Sequence, residues 1–272
     1  MKKTGISRYL RLTWLYAKKA VKVKLIYRWS FLINCISQAL DYAVTFLLMV
    51  IMISSFETMN GWNQYEVMLL YAISLLSYGV AGTFFFLIMV NLPKNAHNGA
   101  FDDVLVKPVS ILPYLISSSF ISNYIAHITL SVIIMIICFI KLNVTLTVFY
   151  WVTLFVMVIS GSLIYGGLFL FVSASSFLFT KVQALMDVMF FFREASYYPI
   201  SILPVFMQVI MTFVIPYSMI NFFPIQIILP KNDFLFLNKD WIYLSPLFAV
   251  IFFSLICCYF YWCLKHYKST GS

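Results

Sequence analysis

The sequence predicts an all-α membrane protein with six transmembrane helices, an N-terminal amphipathic interfacial helix and a proline-broken re-entrant hairpin before the last span. Three observations carry that prediction. Of 272 residues, 63% are hydrophobic and 10% charged, where soluble domains carry roughly 25% charged residues. Apolar runs near the length of about 20 residues that a spanning helix needs recur along the chain. The longest polar stretch, roughly twenty residues, is too short to hold a core of its own.

The elements follow in order. Residues 1–28 hold nine of the eighteen basic residues and no acid. At 100° per residue, Arg8, Arg11, Lys18, Lys19 and Lys22 gather on one side of a helix, with Tyr9, Leu10, Trp14, Ala17 and Val21 opposite. That pattern suits a helix in the cytoplasmic interface, apolar side in lipid and lysines toward anionic head groups. A merely basic tail is the alternative. The first apolar run starts near Trp29 and lacks an A-x-A cleavage site, so it reads as a retained helix and not a removed signal peptide. Hydropathy then marks spans at about 30–54, 67–90, 114–140, 146–172 and 243–264.

Orientation follows from the basic residues flanking the spans. With the N-terminus inside, the cytoplasmic side receives the N-terminal bases, Lys94, Lys107, Lys181, Lys265 and Lys268. The other side keeps Lys141, Lys231 and Lys239. Both termini are then cytoplasmic and the number of crossings even. Residues 177–230 are apolar but broken by Pro199, Pro204, Pro216, Pro224 and Pro230. One solution is a fifth span over 182–198 followed by a hairpin that dips into the outer leaflet, its backbone packed against protein. Another puts the span at 205–228, with 182–200 as a cytoplasmic surface helix.

Catalytic chemistry is missing. The chain has no G-x-x-x-x-G-K-[ST], no H-E-x-x-H and no G-x-S-x-G. Its three histidines are scattered. Its five cysteines lie in apolar runs without metal spacing and read as small buried residues. Ionisable residues inside spans are costly and mark function or pairing: Asp41 in the first span, and Asp187, Arg193 and Glu194 in the fifth. Arg193 and Glu194 are adjacent, so their side chains diverge by about 100°. They either line a polar route or form interhelical pairs and anchors. Small residues at Ser74, Ser77, Ala81, Gly82, Ser162 and Gly166 favour close helix packing. The polar connection after the second span predicts a short amphipathic helix over 100–106, with Phe101, Val104 and Leu105 apolar. Asp102 and Asp103 lie near its start, and Lys107 and Pro108 end it. Such a helix on the cytoplasmic face suits docking to a soluble partner.

Two stretches carry a family resemblance: G-x-F-D-x-x-L-x-K-P-V at 99–109 and Y-P-x-S-x-x-P at 198–204, with further prolines downstream. With these motifs in a six-span chain, the sequence resembles the permease subunits of type-2 ABC exporters, in particular the drug and antimicrobial-peptide branch. The resemblance implies a permease paired with a second one, the same or homologous, on two separate ABC ATPase subunits. ATP and Mg would be bound by those subunits, with no cofactor in this chain and no nucleic-acid partner. It implies a coupling helix at about 98–108 that uses Gly99, Phe101, Asp102, Asp103, Leu105, Lys107 and Pro108. The N-terminal helix would lie on the bilayer through Arg8, Arg11, Trp14, Lys18, Lys19 and Lys22. Residues 199–230 would cap the exit, and Asp41, Phe191, Arg193, Glu194, Tyr198, Pro199, Pro204 and Pro216 would line the route or its gate. Phe190–Phe192 would add apolar wall. The function implied is export of an amphipathic drug, peptide or lipid-like molecule from the cell membrane by alternating access. The residues alone leave two rivals: an ion-coupled secondary transporter, for which Asp41 is the tempting residue, and a non-transporting anchor or sensor subunit.

Overall fold

A backbone in lipid finds no water to bond, so long apolar stretches must close their own hydrogen bonds as helices. The computed structural model describes residues 6–54, 58–144, 147–229, 231, 233, 235 and 243–268. Lys2, Lys3, Pro230 and Lys239 lie outside the described residues, as do the side chains of Arg8, Leu10 and Lys24. Apart from an isolated bridge between Met59 and Trp62, the regular structure described is helical. It comprises α1 (Ile6–Ile26), α2 (Arg28–Ser54), α3 (Gln64–His97), α4 (Asp102–Leu105), α5 (Ile111–Ser118), α6 (Ile125–Lys141), α7 (Val148–Ser175), α8 (Gln183–Ala195), α9 (Val205–Val209), α10 (Phe222–Ile225) and α11 (Ser245–Lys265).

Among the described residues, four helices are long and apolar enough to cross a membrane: α2, α3, α7 and α11. The third expected span, 114–140, is interrupted between Ser118 and Ile125. In the break the Ile121 amide donates to the Thr83 carbonyl of α3 (3.0 Å) instead of continuing a helix. The break also lays the Tyr124 ring on Gly82, where a Cβ would come within 2.5 Å of it. The fifth expected span, 182–198, contracts to α8, whose 13 residues extend about 20 Å at 1.5 Å each. That falls short of a hydrocarbon core about 30 Å thick. Pro199 limits it, because the residue before a proline is pushed out of helical geometry.

α3 is apolar on all sides and sits at the centre, as such a helix must. Asn63 caps it: its Oδ1 accepts from the Tyr65 amide (3.1 Å), while its own amide donates to Glu66 Oε2 (2.6 Å). The predicted small residues let α3 and α7 approach closely. Ser162 donates to the Ser77 carbonyl (3.1 Å), and Ser74 and Tyr165 share a 2.7 Å hydrogen bond across the seam. α6 flanks α3, and α11 lies against α7. α2 is peripheral; none of the apolar stretch it offers a bilayer is buried in the chain.

The proline-rich segment is a broken helix pair, with Val205–Val214 and Tyr217–Ile225 meeting at 71°. Polar side chains tie it to itself and to its neighbours. Asn221 Nδ2 donates to the carbonyls of Leu70 (3.1 Å) and Ser196 (2.8 Å). Gln208 donates to the Leu203 carbonyl (2.8 Å), and Ser218 to that of Met211 (2.8 Å). Phe222, Phe223 and Pro224 are buried beneath them. At this end of the bundle a clasp ties the start of α3 to the segment after α10. Lys231 pairs with Glu66 (2.8 Å), and the Trp62 indole donates to Asp233 (2.9 Å). The opposite end holds α1, α4, α5 and the C-terminus of α11.

Candidate functional site

The segment after α3 is built to be held. Gly99 has φ +77°, a left-handed conformation nearly free only for glycine, and it turns the chain from α3 toward α4. Phe101 then drops into an aromatic pocket, fully buried, with ring centroids 5.1 Å from Phe177 and 5.3 Å from Tyr267. Burying such a ring contributes about 2–3 kcal/mol. The Tyr267 hydroxyl donates to Asp102 Oδ1 (3.1 Å), and burial together with that bond raises the phenol's pKa. Lys107 donates to the Tyr114 hydroxyl (2.7 Å). The Ser110 amide donates to the Tyr9 hydroxyl of α1 (2.8 Å).

In this clamp Phe101 faces inward and Asp102 is engaged by Tyr267. What the segment displays is Asp103, Leu105, Val106, Lys107 and Pro108. Val106 is 82% exposed and joins this set through the structure alone.

α1 lies along α5, where Thr13 donates to Ser117 Oγ (3.0 Å). Its packed side runs through Tyr9, Thr13, Tyr16 and Ala20, all partly buried. Trp14 and Val21 are exposed next to Arg11, Lys18, Lys19 and Lys22, which are exposed too. The apolar half is therefore divided between the protein and the open surface, a correction to the two-sided reading.

The ionisable residues of the spans separate. Arg193 turns inward from the end of α8, with its guanidinium carbon 4.6 Å from the Tyr78 ring centroid, 5.0 Å from Phe190 and 5.9 Å from Tyr197. Tyr78 lies near the middle of α3. His127 of α6 joins the same aromatic group, its ring 5.8 Å from Tyr78 and 4.3 Å from Tyr42. Asp187, Phe191 and Glu194 lie exposed along α8, and Asp41 is exposed on α2. Tyr198 is half-buried, Pro199 and Pro216 are buried in the hairpin, and Pro204 is exposed at its turn. Arg193 is thus brought to a shared centre, and the acids are not. The tyrosine cage went unread in the sequence. Tyr71, Ser74 and Tyr78 do share a helical face, but nothing in the chain's order links that face to Arg193.

A helical bundle with several spanning helices, a half-buried broken hairpin and a clamped polar connection defines a polytopic membrane protein of the transporter type. Residues 39–271 match the model of the ABC-2 family transporter proteins, most of the chain, and the protein belongs to that family. It is therefore a multi-pass membrane component of an ABC-2 family transporter, a permease of a kind that typically leaves catalysis to associated ABC ATPase subunits. No curated protein and no solved structure matches the chain.

Proposed function

We propose that this chain is the membrane-spanning subunit of an ATP-driven exporter in the cell membrane. It moves an amphipathic drug, peptide or lipid-like molecule outward by alternating access, powered by two separate ATPase subunits. Six crossings, with α6 and α8 as short spans, put both termini and α4 on the cytoplasmic side and the 199–230 hairpin at the exit.

The observation that carries this reading is the clamp on α4. A short segment fastened by Phe101 and Asp102 to the ends of α7 and α11, and by Ser110 to α1, can pass a push from a docked partner into three helices. Its displayed residues, Asp103, Leu105, Val106, Lys107 and Pro108, are the contact set. A second permease is supported by Asp41, Asp187 and Glu194, exposed on otherwise apolar helices. Charges there face protein or a polar route and not lipid tails. Because Asp41 sits on that outer face of α2, it does not form a coupling site within this chain, and the ion-coupled alternative loses its main residue.

The test uses the transporter purified with its ATP-binding subunits and reconstituted in liposomes. Val106→Asp should lower substrate-stimulated ATP hydrolysis about tenfold, a loss of about 1.4 kcal/mol of coupling, while membrane insertion and thermal stability hold. A chain that copurifies with no P-loop ATPase, or that moves solute without ATP, refutes the proposal.

A further inference from the structure

A guanidinium carries five N–H donors in one plane, a fork that matches a carboxylate or phosphate. Ring faces attract its charge from above and below, but they do not accept the in-plane hydrogens. Arg193 is surrounded on that principle. Tyr78, Phe190 and Tyr197 present rings within 6 Å, yet its Nε finds no hydrogen-bond partner. Among the described residues, no carboxylate lies within 4.0 Å of it. The exposed acids of α8 project from another side of that helix. His127, buried in the same aromatic group, also has a nitrogen, Nδ1, without a partner. Tyr42 takes one side-chain hydrogen bond from Arg193, and no carboxylate among the described residues balances its charge. A cation held near the middle of α3 with its Nε unpaired is a costly arrangement in a membrane, and an incoming anion would complete it. Arg193 is only partly buried, so the fork can be reached, and Met186 and Phe190, on the same side of α8 at 100° per residue, are partly exposed.

We propose that the Arg193 cage is the subsite for the anionic group, a carboxylate or phosphate, of the amphiphile the protein transports, whose apolar part lies along α8. This rests on the exporter reading above and narrows its substrate class to anionic amphiphiles.

The experiment places the complete transporter in phosphatidylcholine nanodiscs and follows thermal unfolding and ATP hydrolysis with three probes: dodecyl phosphate, dodecyltrimethylammonium and inorganic phosphate. Dodecyl phosphate should raise the unfolding midpoint of the wild type and stimulate hydrolysis, and the other two should do neither. Arg193→Met should abolish the response. Arg193→Lys, which keeps the charge and loses the fork, should weaken apparent affinity about tenfold and carries the test if the methionine variant does not fold.

An undiminished response in either variant, or an equal one to the cationic probe, overturns the proposal. An equal shift with inorganic phosphate assigns the cage to a soluble anion instead and refutes the amphiphile. Adding phosphatidylglycerol to the discs identifies a resident lipid if it alone reproduces the Arg193-dependent shift and dodecyl phosphate then stimulates nothing. A transporter with no ATPase activity would end the exporter reading, yet the unfolding shift would still decide what the cage binds.

Discussion

Phe101 and Val106 belong to one short segment and meet opposite surroundings, one fully buried and the other 82% exposed. Their substitutions should therefore separate stability from coupling. Phe101→Ala should cost about 3–5 kcal/mol, the usual result of emptying a buried aromatic site, seen as a lowered midpoint of thermal unfolding in mild detergent. Val106→Asp should leave that midpoint alone and act on ATP hydrolysis. Lys107 belongs with the exposed set. The Tyr114 hydroxyl that accepts from its ammonium raises the lysine's pKa above 10.5. A raised pKa favours the folded, charged form fully below the ordinary lysine value, and that support fades only as pH climbs through the folded one. Coupling measured from pH 6 to 9 should therefore show no titration that Lys107→Met removes. A step in that window lost in the variant would contradict the assignment.

At the scale of elements, the hairpin depends on a few polar side chains that tie it to itself and to its neighbours. Asn221 is the one to test, because one amide group serves two carbonyls from different parts of the chain. Asn221→Ala removes both bonds and leaves the Ser196 carbonyl without this donor, at about 1–3 kcal/mol for an unsatisfied buried group, and should lower the unfolding midpoint. Asn221→Asp, which removes the donors and keeps the shape, should do no better. The bend itself was legible, since Pro199, Pro204, Pro216 and Pro224 break any single helix through the region. The partners of the bend were not, because Leu70 is 151 residues from Asn221. The same limit explains α5 and α6. Hydropathy saw one apolar run there, while the Ile121–Thr83 bond and the seat of Tyr124 on Gly82 break it for reasons that lie on α3.

For the molecule as a whole, the proposed orientation separates two exposed positions to opposite sides of the membrane. A membrane-impermeant maleimide should label Val205→Cys, 67% exposed on the hairpin, in intact cells. Val106→Cys should react only in inside-out vesicles. The reverse pattern would invert the topology. Ser218, fully buried, is unsuited to such labelling.

The sequence by itself determined that the protein lives in a bilayer, that the N-terminal segment is basic and amphipathic, that small residues on α3 and α7 favour close packing, and that a short amphipathic helix follows α3. All of these are properties of composition and near neighbours, where about 20 apolar residues or an amphipathic spacing carry their own physical consequence. Only the tertiary structure decided which side of α4 is exposed, where the apolar runs break, and that Arg193 turns into a ring of tyrosines while Asp41 and Glu194 turn away. Each of those depends on contacts between distant segments, and a side chain's direction on a helix has no meaning until something is packed against it.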